Sequence, residues 1–113
     1  MLQAVFEPVS NREDWIDQCE VRDDNNALVN LTGATIVIAV RDRTTKGNLL
    51  NAKTADGTIV IQGIGIFQFT FTVSQMRGLD ASKSYEVGCT ILLNGVTQQF
   101  FIGTVSVLDG IVP

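Results

Sequence analysis

The strongest candidate for a cation site in this sequence is a short run of oxygen-bearing side chains, Asp23-Asp24-Asn25-Asn26. Carboxylate and amide oxygens bind Ca²⁺ in EF-hand loops, but such a loop also needs a glycine at its sixth position and a later bidentate glutamate. The sequence has neither at the required spacing. Because aspartate and asparagine also favour tight turns, we interpret the run as a turn.

The inventory of catalytic side chains is small. The sequence contains no histidine, which excludes histidine bases and histidine zinc ligands, and its two cysteines, Cys19 and Cys89, stand far apart without further ligands nearby. Gly63-Ile64-Gly65 lacks the third glycine and the lysine of a phosphate loop. Asp14 and Asp17 do not share a strand face, so they predict no pair of catalytic carboxylates. We therefore expect no enzymatic activity, no metal and no cofactor.

Length and charge restrict the architecture and the partners. A chain of 113 residues fits a single domain, residues 1–113, that can bury a core without metals or disulfides. Eight basic residues against twelve acidic ones give a net charge of -4, without any basic block. Because nucleic-acid binding depends on basic patches, we expect no nucleic-acid partner. We also find no signal peptide and no transmembrane segment, so we expect synthesis in a reducing cytoplasm and no membrane contact.

The composition is typical of β-structure. Valine, isoleucine and threonine account for 34 residues, whereas glutamate and lysine account for seven; the first group favours strands and the second favours helices. Alternating apolar residues and intervening turn residues predict eight strands. Their expected ranges are residues 2–8, 14–22, 34–42, 48–53, 58–62, 66–73, 84–93 and 97–107. One helical turn is expected, capped by Ser74 and ended by Gly78.

The fold predicted from these elements is an all-β antiparallel sandwich of seven or eight strands. Its core should collect the apolar residues that share one face of each strand. The core residues that we expect are Trp15, Cys19, Ile36, Ile38, Phe67, Phe69, Phe71, Tyr85, Val87, Ile91 and Ile102.

The Asn94-Gly95 turn allows the last two strands to be aligned. A two-residue hairpin turn places Leu93 opposite Val96, and every later pair follows in register. The alignment predicts an outer face with very little charge, which is typical of a protein interface, although an ordinary solvated sheet is the alternative. The residues predicted to form this interface are Leu92, Gln99, Phe101 and Val105. A bulge in the last strand would exchange Phe101 for Phe100 at the surface.

A set of motifs extends over residues 14–107. It consists of Asp14-Trp15, Val21-Arg22-Asp23, Leu31-Thr32-Gly33-Ala34-Thr35-Ile36, Val40-Arg41, Thr54-Ala55-Asp56-Gly57, Tyr85 and Gly103-Thr104-Val105-Ser106-Val107. Together these motifs resemble a family of small phage tail and baseplate domains that includes the N-terminal domain of siphophage baseplate upper proteins. Two positions depart from the family pattern: Ser84 stands where members often have glycine, and Gly88 where they often have an acidic residue.

The resemblance implies an immunoglobulin-like β-sandwich that serves as a structural component of a phage or prophage particle, assembled in the host cytoplasm. It implies no catalytic residues. The expected partners are other virion proteins or further copies of this chain in a homo-oligomer. A capsid decoration protein is an alternative that the sequence does not separate from a tail protein. A carbohydrate-binding sandwich is a second alternative, but it needs a row of exposed aromatic side chains.

The two cysteines admit two interpretations. In an immunoglobulin domain, cysteines on facing strands form an inter-sheet disulfide. Cys19 and Cys89 fall on expected core faces, but Trp15 precedes the first cysteine, and Tyr85 stands four residues before the second, where the tyrosine corner of that fold stands two before. A reducing cytoplasm favours buried free thiols, and a bond between the two cysteines is left open.

Overall fold

The computed structural model describes residues 2–80 and 83–108. Within these residues nine strand segments form two sheets. The strands are β1 (Leu2–Val5), β2 (Val9–Ser10), β3 (Trp15–Glu20), β4 (Thr35–Asp42), β5 (Asn48–Lys53), β6 (Ile59–Gly63), β7 (Ile66–Phe71), β8 (Ser84–Leu93) and β9 (Val96–Leu108). A helical turn, α1 (Val73–Met76), follows β7, and a 3-10 turn (Thr54–Asp56) follows β5. Seven of the eight predicted strands agree with the structure to within two residues at each end, whereas the first, predicted at residues 2–8, ends at Val5, and β2 was not predicted.

The strand order is that of an immunoglobulin-like sandwich, as predicted. The larger sheet has the order β1-β9-β8-β4-β5, with β2 also paired to β9, and the smaller sheet has the order β3-β7-β6. The neighbours β9, β8 and β4 correspond to strands G, F and C of an immunoglobulin domain, and β3, β7 and β6 to strands B, E and D. The pairing is antiparallel as expected, except that β1 and β2 run parallel to β9.

The core lies between the two sheets and is rich in aromatic side chains. Trp15 packs against Phe6, Phe69 and Phe71, with ring centroids 5.4, 5.2 and 5.5 Å away. Of the predicted core residues, all but two are buried. Cys19 is half-buried against the core, whereas Ile102 is 39% exposed and was wrongly assigned to it.

A β-bulge in β9 explains the error at Ile102. Asn94 and Gly95 have φ angles of 54° and 79°, and Leu93 pairs with Val96, as the predicted hairpin requires. The predicted register continues as far as the pair formed by Thr90 and Gln99, but the next residue of β8, Cys89, pairs with Phe101. Phe100 is the extra residue, and every side chain of β9 after it points to the face opposite to the predicted one.

The bulge overturns two of the four predicted interface residues. Phe101 and Val105 are only 3% and 1% exposed, so both belong to the core and not to the outer face.

Two contacts stabilise the bulge. The side-chain amide of Gln99 donates hydrogen bonds of 2.9 Å to the backbone carbonyl groups of Cys89 and Phe101. These bonds satisfy backbone groups next to the interrupted ladder. Phe101 gains burial, with its ring 5.6 Å from that of Phe6.

The predicted helical turn is present but begins two residues earlier. Thr72, and not Ser74, is its N-terminal cap. The Thr72 hydroxyl accepts a hydrogen bond of 3.4 Å from the Gln75 amide, and the Gln75 side chain accepts one of 3.0 Å from the Thr72 amide, which completes a capping box. Asp14 also accepts a hydrogen bond from the Val73 amide at 2.6 Å, and this contact ties α1 to the start of β3.

Gly65, in the turn between β6 and β7, is the glycine whose replacement we expect to be most damaging. Its φ is +72°, and an added Cβ would lie 2.9 Å from the Val21 carbonyl oxygen and 2.8 Å from Leu28 Cδ2. Gly65→Ala should therefore lower the free energy of unfolding by about 2–3 kcal/mol, measured by chemical denaturation. Gly63→Ala is the matched control, because its Cβ would meet nothing within 4 Å; a similar loss in both variants would contradict the assignment.

Candidate functional site

The structure retains part of the predicted interface on the outer surface of the larger sheet. We define the outer face as eight uncharged residues in the middle of β4, β8 and β9 that point away from the smaller sheet; Arg41 and Glu86 point the same way and border them at one end. The eight residues are Val37, Ala39, Gly88, Thr90, Leu92, Thr97, Gln99 and Ile102. Leu92 and Gln99 were predicted there, and Leu92 is 40% exposed. Ile102 was missed: the possible bulge in the last strand pointed to Phe100 as the surface residue, but Phe100 is half-buried against the core.

A shallow depression lies at the centre of the outer face. Its volume is about 220 Å³, and its lining includes Val37, Ala39, Gly88 and Ile102, together with the charged residues Arg41 and Glu86 at one end. Ala39, Gly88 and Ile102 lie in one row across the three strands, so the two small residues leave room beside the isoleucine. A Cβ at Gly88 would lie 3.4 Å from the Gln99 amide nitrogen, and the glycine therefore also accommodates the side chain that bridges the bulge.

Charged residues border the outer face at one end and along its β5 side, where the exposed Lys53 pairs with Val37. Glu86 accepts hydrogen bonds from Lys46 at 2.8 Å and from Arg41 at 2.9 Å. The contacts with Lys46 and then Arg41 hold the pKa of the Glu86 carboxyl below its usual range, so the group is ionised at neutral pH. No residue of the outer face itself carries a charge. The face is thus an uncharged surface with an ion-paired border.

A larger concavity lies at the end of the sandwich where the β8–β9 hairpin is located. We call it the acidic groove; its volume is about 1050 Å³. One wall carries Glu20, Asp23 and Asp24, and the other carries Val96 and Phe100 without any charged residue. The Asp23 carboxylate accepts backbone hydrogen bonds of 2.9 and 3.0 Å within its own turn, which confirms the predicted turn at this position. In the described parts of the chain, no group of three potential metal ligands occurs.

The two cysteines are free thiols in the interior. Cys19 is half-buried and Cys89 is buried. Burial, and secondarily the charge of Asp17, raises the pKa of Cys19 to about 12. Burial, followed by the proximity of Cys19, also raises the pKa of Cys89. Because the thiolate is the reactive form, neither cysteine is activated as a nucleophile at neutral pH.

Tyr85 forms a contact that its spacing from Cys89 did not predict. Its hydroxyl accepts a hydrogen bond of 2.7 Å from the backbone amide of Asp80. The tyrosine corner of immunoglobulin domains likewise joins a tyrosine at the start of strand F to the backbone a few residues upstream. The contact therefore forms although Tyr85 stands four residues before the cysteine, and it anchors the segment that leads into β8.

The outer edge of β3 is protected against strand addition. Within the described residues β3 pairs only with β7. At the opposite edge, the Asp17 carboxylate accepts a hydrogen bond of 3.1 Å from the Gln18 amide. A charged side chain on an edge strand discourages pairing with another chain. This edge is therefore a poor candidate for an interface.

The aromatic residues offer no surface of the kind that glycans need. All eight lie in the described part of the chain, and each is buried or half-buried. A sugar-binding platform requires exposed aromatic rings, so the carbohydrate-binding alternative loses its main requirement.

Among the described residues, no helix is both long and apolar enough to cross a membrane.

Comparisons with known proteins give a similarity of fold only. No protein-family model and no curated protein sequence matches the chain. Among solved structures, the N-terminal Ig1-2 module of the Drosophila receptor protein tyrosine phosphatase DLAR is similar, with a TM-score of 0.45 and 14% identity. The match covers 93% of this chain and 45% of that chain. The immunoglobulin-like assignment therefore rests on the strand order of this chain, and the resemblance to phage domains rests on its motifs.

Proposed function

We propose that the chain is a non-enzymatic structural component of a bacteriophage or prophage particle, in the tail or baseplate, and that it acts through protein contacts made by the outer face. The uncharged centre of that face carries the proposal. Sheet surfaces that face only water normally mix charges of both signs, whereas here residues 87–108, which form most of β8 and all of β9, contain no acidic or basic side chain. The sequence motifs support the placement in a phage particle.

The size of the outer face indicates what kind of contact it can make. The outer face extends over five residues of β8, from Gly88 to Leu92, and over three neighbouring strands, so it measures roughly 17 by 14 Å, on the order of 240 Å². A stable interface buries about 800 Å² on each partner. A single contact through this face is therefore weak, and it suits a symmetric particle in which the same contact is repeated many times.

The shape of the face favours a protein partner. Ile102 is exposed beside the depression at Gly88, so a partner side chain can pack into the depression while Ile102 packs against the partner. The occupant is another virion protein or a second copy of the chain. A capsid decoration protein would use the same contact chemistry, and the position in the particle distinguishes the two.

Ile102→Asp tests the proposal. The side chain is 39% exposed, so the variant should fold, while its carboxylate would be desolvated in any contact made by the outer face. We expect at least a tenfold drop in incorporation into particles, measured by immunodetection in gradient-purified particles from a lysogenic host that carries the gene. The proposal would be contradicted directly if purified particles from a host with the wild-type gene contained none of the protein.

Val60→Asp is the matched control for this experiment. Val60 is 51% exposed on the outer surface of the smaller sheet, so the substitution adds the same charge at a similar exposure. We expect its incorporation to equal that of the wild type. Equal losses in both variants would show that the outer face of the larger sheet has no special role.

A further inference from the structure

The two ends of the sandwich differ in charge. Asp42, at the end of β4, pairs with Tyr85 at the start of β8, so the β4–β5 turn, residues 43–47, lies at the end opposite the β8–β9 hairpin and the acidic groove. The longest dimension of the molecule is 42 Å. The turn contains Arg43 and Lys46 and no acidic residue. The chain therefore has an acidic concavity at one end and a basic projection at the other.

The acidic groove has an unused negative charge. Arg22 is the cation that lines it, but its guanidinium pairs with Glu20 and donates a hydrogen bond of 2.8 Å to the Asn26 carbonyl. Asp24 is exposed and makes no hydrogen bond or ion pair with the described residues. The volume of about 1050 Å³ is at the upper end of the 300–1,000 Å³ that is typical of ligand clefts. The groove can therefore accept the tip of a loop and not only one side chain.

The β4–β5 turn has a complementary structure. The Asp42 carboxylate accepts hydrogen bonds of 2.8 and 3.0 Å from the amides of Thr44 and Thr45, which orders the turn before any contact is made. Lys46 is engaged with Glu86. Arg43 is exposed and forms no ion pair among the described residues, and Leu49, at the start of β5, is 47% exposed. An ordered loop with a free cation and a neighbouring apolar side chain is the chemical counterpart of the groove.

We propose that copies of this chain associate head to tail, with the β4–β5 turn of one copy seated in the acidic groove of the next. Arg43 then faces Asp24, and Leu49 packs towards the uncharged wall that carries Val96 and Phe100. Because the two contacting surfaces differ, the contact is heterologous and produces a ring or a filament. The facing residues named here do not belong to the outer face, although Gln99 also lines the groove, and the inference does not depend on the proposed function.

The electrostatics set the conditions under which the association should be observed. The net charge of -4 makes copies repel one another at long range, while the opposed ends attract at short range. Salt screens exposed charges with a Debye length of about 10 Å at 0.1 M ionic strength. We expect the weight-average mass to rise with protein concentration at low salt and to fall when salt is added, as measured by sedimentation velocity and light scattering.

Charge reversal at the two ends gives a decisive test. In Asp24→Arg, the groove and the turn both carry a positive side chain, and in Arg43→Asp both carry a negative one. Because the two contacting ends then repel each other, each variant alone should associate at least tenfold more weakly than the wild type. The double variant restores opposite charges at the two ends and should associate again. An equimolar mixture of the two single variants should also associate, because each groove then meets an oppositely charged turn.

The controls separate this contact from general charge effects. Glu13→Arg and Lys53→Asp make the same changes in net charge at exposed positions outside the groove and the turn, and they should associate as the wild type does. Circular dichroism checks that all variants are folded. The proposal is overturned if the wild type stays monomeric at millimolar concentration in low salt, if the single variants associate normally, or if neither the double variant nor the mixture recovers. Ile102→Asp should leave this association intact.

Discussion

Replacement of Phe101 by aspartate should leave the chain unfolded at room temperature. The side chain is 3% exposed, and its ring lies 5.6 Å from that of Phe6 and 5.7 Å from that of Phe100. Loss of a buried phenylalanine costs about 3–5 kcal/mol, and burial of an unpaired carboxylate adds several kcal/mol. The sum is comparable to the total stability of about 5–15 kcal/mol that is usual for a domain. Circular dichroism and one-dimensional NMR would show the loss of folded structure.

The neighbouring substitution, Ile102→Asp, is the control that makes this result informative. Ile102 points to solvent on the outer face, so we expect this variant to remain folded with a change in stability of about 1 kcal/mol or less. The opposite outcome, with Phe101→Asp folded and Ile102→Asp unfolded, would show that β9 runs without the bulge at Phe100.

Replacement of Phe69 by alanine should lower the free energy of unfolding by about 3–5 kcal/mol. Phe69 is fully buried in the middle of β7, and its ring lies 5.2 Å from that of Trp15 and 5.8 Å from that of Phe71. Its removal therefore leaves a cavity among rings that cannot collapse without losing contacts with one another. Urea denaturation followed by tryptophan fluorescence measures the effect directly, because Trp15 is the only tryptophan.

Val60→Ala provides the comparison on the adjacent strand. Val60 lies on β6 and is 51% exposed, so its truncation should change stability by no more than about 0.5 kcal/mol. A loss below about 1 kcal/mol for Phe69→Ala would mean that this face of β7 is not part of the core.

Several features of the fold were predictable because their causes are local. Strand positions follow from the alternation of apolar residues with a period of two, and Asn94-Gly95 predicts its hairpin because both residues tolerate positive φ. Phe67, Phe69 and Phe71 were assigned to the core for the same reason. The turn at Asp23 was also predictable, since its side chain caps backbone groups only a few residues away.

The second half of β9 shows where this kind of argument fails. Phe100, Phe101 and Ile102 are all apolar, so the pattern permits either register at this point. The choice depends on residues that are distant in the sequence. Phe6 lies beside Phe101 in the core, and the Gln99 side chain bridges the bulge by hydrogen bonds to the carbonyl groups of Cys89 and Phe101. The predicted outward orientation was therefore right for Leu92 and Gln99, which precede the bulge, and wrong for Phe101 and Val105, which follow it.

The sequence by itself determined the all-β class, most strand positions, most of the core and the absence of acidic and basic side chains from residues 87–108, because each of these depends on residue type and near-neighbour spacing. Only the tertiary structure decided which side of β9 faces solvent and that Asp24 and Arg43 lie at opposite ends of the molecule. The physical reason is the same in both cases. Burial and charge complementarity depend on which residues are close in space. The separation of two residues along the sequence does not show whether the fold brings them together.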